Sequence, residues 1–194
     1  LTWDEWTPAD QAMFDPVMFS VSGVLFSIIL IIVLAVTAVT SEYSSNMIRT
    51  TFIATPNRLR VLAAKATWVI LLAIMINLVA YLGMFLVSQA IFGSYGMETA
   101  SLTDSDAVRM IAYSPVGSLI YSIIPFAVAF LLRGAASAIT ASIGFFFLPW
   151  ILVPLLPTWF SENVIRFWPD WALDSLSGVT NSDAATYLSQ GPAI

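Results

Sequence analysis

Cysteine and histidine are absent from the 194 residues, and lysine occurs once. A thiolate or imidazole metal site, a cysteine nucleophile and a serine–histidine pair each need a residue type that is missing. A Walker A loop needs Gly-Lys followed by Ser or Thr, whereas the sole lysine, Lys65, stands in Ala-Ala-Lys-Ala. Charge is scarce as well: 10% of the residues are Asp, Glu, Lys or Arg, against about 25% in a soluble domain. No basic segment precedes an apolar run at the start, so no signal peptide is read there. The first residue is Leu1 rather than methionine, which suggests part of a longer chain.

What fills the space is apolar. Hydrophobic residues make up 59% of the chain, and four intervals carry no charge at all: Asp15 to Glu42, Lys65 to Glu98, Arg109 to Arg133 and Arg133 to Glu162. Each is long enough to cross a hydrocarbon core, which takes about 20 apolar residues as helix. Four such runs leave too little polar sequence to wrap a soluble core around them. The expected fold is an all-α, polytopic helical membrane protein with spans at 17–40, 67–92, 114–132 and 135–156. An acidic segment 1–16, a loop 41–66, a loop 93–113 and short surface helices within 157–194 connect and flank them. The first span is rich in β-branched residues. Helix is still expected, because an open strand in lipid leaves backbone groups unpaired.

Loops retained in the cytoplasm are enriched in Lys and Arg. With loop 41–66 inside, Arg49, Arg58, Arg60, Lys65 and Arg133 face Glu42 there, a net of +4. Arg109 and Arg166 face the other eleven acids outside, a net of −9. This predicts a multi-pass protein of the cell membrane with its basic loop cytoplasmic and its lipids as immediate partners. Trp3 and Trp6, and later Trp159, Trp168 and Trp171, suit the headgroup layer on the acidic side. Nothing in this charge pattern predicts a nucleic-acid partner.

Within the spans, Asn77 is the most deeply placed polar residue. It reads as an interhelical hydrogen bond or, less often, as a group lining a pathway. The second span also carries Tyr81, Ser88 and Gln89. Pro125, in the middle of the third span, predicts a kink, with Pro115 near its start. Leu132-Arg133-Gly134 leaves room only for a tight turn, so the third and fourth spans should pack antiparallel. Gly134, Ala138 and Ser142 recur every four residues at the start of the fourth span. Such a small-residue face serves packing against the third span or self-association equally well.

Loop 41–66 carries four of the seven cations. Ser44 or Ser45 can cap a short helix on which Met47, Ile48 and Phe52 share a face; Pro56 ends it, and Asn57 can cap a second helix bearing Arg58, Arg60 and Lys65. Taken alone, that pattern fits an anchor on anionic headgroups. The string Glu42-Tyr43, Ile48-Arg49-Thr50-Thr51, Pro56, Arg58, Arg60 and Ala64-Lys65 resembles the cytoplasmic signature of type-2 ATP-binding-cassette exporter permeases, especially the actinobacterial kind. The resemblance extends to Phe14-Asp15-Pro16, to Leu132-Arg133 and to the proline-interrupted outer ends, and so to most of the chain. Asn46 stands where the family commonly has glycine.

The resemblance implies six spans per subunit, of which these four would be the second to fifth. It also implies a coupling helix at about 45–55 docked in a cleft of a separate ATPase subunit. Met47, Ile48 and Phe52 would fill that cleft, and Arg49 would pair with an acid there or with Glu42. ATP and magnesium would sit on the partner, with no cofactor in this chain. A second permease copy or a paralogue would meet it along Gly134, Ala138 and Ser142. Substrate (lipid, peptide, drug or glycan) would move by alternating access. The alternative from another class is a non-transporting scaffold or accessory subunit. An intramembrane enzyme using Asp170 and Asp174, four residues apart, is a weaker reading than a solvated acidic surface.

Overall fold

Asp15 and Pro16 start the first crossing. The Asp15 carboxylate accepts the N–H groups of Val17 (2.8 Å) and Met18 (3.1 Å), and Pro16 fills the first helical position, where no N–H is needed. The computed structural model describes residues 3, 6–44, 58–169 and 173. Its helices are α1 Pro8–Ala12, α2 Pro16–Ser20, α3 Val24–Ser44, α4 Arg58–Ser94, α5 Ser105–Leu132, α6 Ala135–Leu152 and α7 Thr158–Asn163. Single 3₁₀ turns follow at Val153–Leu155 and Ile165–Phe167. Among the described residues there is no strand, and α3, α4, α5 and α6 (with the turn after it) are long and apolar enough to cross a membrane. The protein is an all-α, polytopic membrane bundle.

α5 is the central helix, packed against α3, α4 and α6. Two cores lie toward opposite ends of the bundle. One joins Ala35, Val36 and Val39 of α3, Val69 of α4, Phe126 and Ala129 of α5 and Ala138 of α6. The other joins Val17, Phe85, Ala107 and Met110. Lipid offers no hydrophobic drive between helices, so close approach through small residues must hold them; Ala35, Ala129 and Ala138 are fully buried accordingly. On α5, Ser114, Ser118 and Ser122 form a buried stripe, each bonded to a carbonyl of its own helix. The Ser114 hydroxyl donates to the Ile111 carbonyl at 2.9 Å, the group that Pro115 deprives of its N–H donor. α5 runs as one helix through Pro115 and Pro125.

The first crossing is not one helix. Between α2 and α3 the chain makes a turn at Val21–Gly23, with three-residue hydrogen bonds from Val21 to Met18, Ser22 to Phe19 and Val24 to Val21. Irregular backbone at membrane depth survives only where protein covers it, and α4 provides the cover. Gln89 Nε2 donates to the Pro16 carbonyl (3.1 Å) and the Ser20 hydroxyl oxygen (2.9 Å), while its Oε1 accepts the Ala100 N–H (2.8 Å). Ser88 donates to the Ser20 carbonyl at 3.3 Å. Gly23 lets the turn approach, because a Cβ there would lie 2.9 Å from Met84 Sδ. Gln89→Ala should therefore lower the unfolding free energy by about 1–3 kcal/mol, since it leaves the Ala100 N–H without its acceptor and removes two bonds that hold the broken turn. The shift is readable in the tryptophan-monitored unfolding midpoint in detergent.

The other boundaries also differ from the charge-free intervals. α4 begins at Arg58 and α5 at Ser105, well before positions 67 and 114. At 37 residues and 1.5 Å per residue, α4 is about 55 Å long, far more than a core of about 30 Å. Its basic first turns therefore project beyond the lipid, and Trp68, 67% exposed, sits where an indole suits the interface. α5 and α6 are joined by Arg133 in a left-handed conformation (φ 55°), its N–H bonded to the Ala129 carbonyl at 2.9 Å, and by Gly134. At the opposite end, Phe14 stacks on Phe19 and meets Phe92 edge-on at 5.1 Å, fastening the amino-terminal segment to α4.

Candidate functional site

Two regions gather the residues singled out by the sequence. The first is the root of the 41–66 loop. Glu42 near the end of α3 forms an ion pair with Lys65 near the start of α4, both side chains partly buried. Tyr43 packs edge-on against Phe130 at 6.2 Å and lies against the adjoining core. The two helices that carry the loop are thus fastened to each other and to α5 where they leave the bundle. Arg60 is exposed on the projecting end of α4, and Arg58 opens that helix. Met47, Ile48, Arg49, Phe52 and Pro56 lie outside the described residues, as do Asp170 and Asp174. The acid offered to Arg49, Glu42, has Lys65 upon it.

The second region surrounds Asn77, which is 2% exposed. Its Oδ1 accepts the Ser27 hydroxyl of α3 at 2.9 Å, and its Nδ2 donates to the Ser114 carbonyl of α5 at 2.9 Å. One side chain thus joins three helices, which is the interhelical reading. On the Pro16 side of this tether the helices part into a two-lobed recess. One lobe, about 370 Å³, is lined by Asn77, Tyr81, Tyr113, Ser114, Gly117 and Tyr121 among others. The other, about 430 Å³, is lined by Leu25, Ile28, Phe146 and Phe147. Ser22, Val24, Tyr81, Tyr121 and Trp150 border both lobes. The broken turn at Val21–Gly23 therefore forms part of the wall. Among the described residues no Asp, Glu, Lys or Arg lines either lobe, and no three acids cluster in a way that would hold a metal ion.

Over residues 8–179 the chain matches a family model described as a protein of unknown function, DUF2705. The chain belongs to the DUF2705 family. No curated protein and no solved structure matches it.

In this DUF2705 chain the Ala138 and Ser142 part of the small-residue face is turned into the subunit, while Gly134 is partly exposed. Ala138 and Ser142 are fully buried, Ala138 within the core that α3, α4 and α5 share. Of the two uses open to that face, packing inside the subunit is observed at Ala138 and Ser142. Ala138→Leu should consequently lower the stability of the subunit itself by about 1–3 kcal/mol through overpacking. An intersubunit role alone would leave the unfolding midpoint of the isolated subunit unmoved. Sequence reading noted Gln89 and Tyr81 as polar positions but not the turn the first secures or the recess the second lines. A glutamine and a serine on adjacent positions of a lipid-embedded helix were the available signal.

Proposed function

We propose that this chain is the membrane permease subunit of an ATP-driven exporter, working with a separate ATPase subunit and oriented with its 41–66 loop in the cytoplasm of a bacterial cell. The supporting observation is the root of that loop. Closure of an ATPase can do work on a membrane bundle only through a rigid, anchored element. Here the ion pair of Glu42 with Lys65 and the packing of Tyr43 on Phe130 tie both ends of the loop to the bundle. The exporter-like string from Glu42 to Lys65 occupies that stretch. The projecting basic end of α4 fits a cytoplasmic stalk, in keeping with the positive-inside tendency. ATP and magnesium belong to the partner in this reading, and a second permease copy would meet the chain on a lipid-facing surface.

Co-expression of the tagged chain with a Walker-A ATPase encoded beside it tests the proposal. A stable complex whose ATP hydrolysis responds to the loop supports it. A chain that purifies alone, with the ATPase indifferent to it, favours a scaffold.

A further inference from the structure

We infer that the cavity at the turn between α5 and α6 is a binding site for the phosphate of an anionic phospholipid. The cavity, about 440 Å³, lies between the last turns of α3 and that turn, and Thr37, Thr40, Ser41, Tyr43, Arg133 and Gly134 line it. The Thr37 and Thr40 hydroxyls donate to carbonyls of their own helix. Two stronger donors border the same space, the Arg133 guanidinium and the Tyr43 hydroxyl. Among the described residues neither side-chain group forms a hydrogen bond or an ion pair. A guanidinium presents a planar fork of N–H groups that matches a phosphate, and a phenol adds a further donor. The backbone at Arg133 is left-handed (φ 55°), a conformation that costs arginine more than glycine. Residues kept in such conformations cluster at binding and catalytic sites.

The inventory of acids, which covers the whole sequence, sets the sign of the ligand. Glu42 is the sole acid between Asp15 and Glu98, and it is paired with Lys65. Residues 45–57 contain Arg49 but no Asp or Glu. The acids nearest Arg133 in sequence are Asp106, in the opposite end turn of α5, and Glu162, beyond the far end of α6. No carboxylate of the 41–66 loop, or of the helix ends that meet here, is left to neutralise Arg133. Leu131 (80% exposed) and Leu132 (47% exposed) immediately precede it, so hydrocarbon reaches the turn and the phosphate within range is one carried at the head of a lipid. The net charge of +4 at this end favours anionic over zwitterionic heads. The site goes beyond the transport reading and does not depend on it, because lipid binding can be read with no ATPase present.

The test is photolabelling of the whole chain in phosphatidylcholine vesicles that contain a trace of phosphatidylglycerol with a diazirine beside its glycerol. Saturable label should appear in peptides spanning 37–43 and 131–135. Excess unlabelled phosphatidylglycerol should remove it, whereas diacylglycerol, which lacks the phosphate, should not; competition by diacylglycerol would overturn phosphate recognition. Inorganic phosphate, with ionic strength matched by chloride, should leave the label in place, and its removal would overturn the lipid source. Arg133→Gly should cut the label about tenfold without lowering the unfolding midpoint, since glycine accepts the left-handed backbone. A midpoint that falls along with the label would make the arginine structural and overturn the site. Arg133→Lys keeps the charge but loses the fork, and its label should lie between the two. Tyr43→Phe, which keeps the ring against Phe130, should weaken the label as well. Label equally dense around Arg58 and Arg60, or label that does not saturate in the unaltered chain, marks diffuse attraction to the basic end and overturns the site whether or not the variants fold. Undiminished label in Arg133→Gly does the same.

Discussion

Phe52→Asp is expected to release the ATPase while leaving the helix bundle intact. In the proposed docking, Phe52 shares the apolar face of the loop helix with Met47 and Ile48 and enters a cleft closed to water. A carboxylate carried into that cleft is stripped of hydration with nothing arranged to receive it. A loss of about 3 kcal/mol corresponds to roughly a hundredfold weaker complex, enough to abolish co-purification and substrate-stimulated hydrolysis. The four long helices pack through α3, α4, α5 and α6, so the unfolding midpoint of the isolated chain should stay where it is. Undiminished stimulated hydrolysis in the variant would remove the docking role of the loop.

Asn77→Ala should produce the opposite pattern, a large loss of stability. The amide bonds α3 and α5 at once from α4. Its removal leaves the Ser27 hydroxyl without its acceptor and opens a void between three helices. Interhelical bonds in membranes average about 0.6 kcal/mol with a maximum near 1.7; two of them plus the void should total about 2–3 kcal/mol. Ser27→Ala should cost less, since only one bond is lost. The double variant should then cost less than the sum of the singles, the mark of a shared interaction. If Asn77→Ala unfolds at the same denaturant concentration as the unaltered chain, the tether is not what joins the helices.

Much of the architecture was legible because charge is so unevenly spread. Four uncharged intervals announce four crossings, and Arg133-Gly134 leaves so little chain that its helices must be neighbours. Helix ends were less legible, for a physical reason: lipid ends where charge begins, but a helix does not. Arg60, Ala63, Ala64 and Lys65 are good helix formers in water, so α4 continues past the interface. The break at Val21–Gly23 lies inside an uncharged run with no proline to mark it, and the partner that secures it, Gln89, is 73 residues from Pro16. Ala138 was recognised as a packing position, while its partners in α3 and α5 needed coordinates. The recess draws on α2, α3, α4, α5 and α6, and its tyrosines pass as apolar in a hydropathy reading. No local pattern could have assembled it.

The length of α4 has a mechanical meaning. It is fixed near one end to α3 by Lys65, near the other to the broken turn by Gln89, and between them at Asn77. With about 27 Å of rod on either side of the middle attachment, a rotation of about 6° there would carry each tip about 3 Å in opposite directions. A small displacement imposed at the charged tip would be delivered, reversed, to the segment held by Gln89 near the far one, so one long helix links the two ends of the molecule.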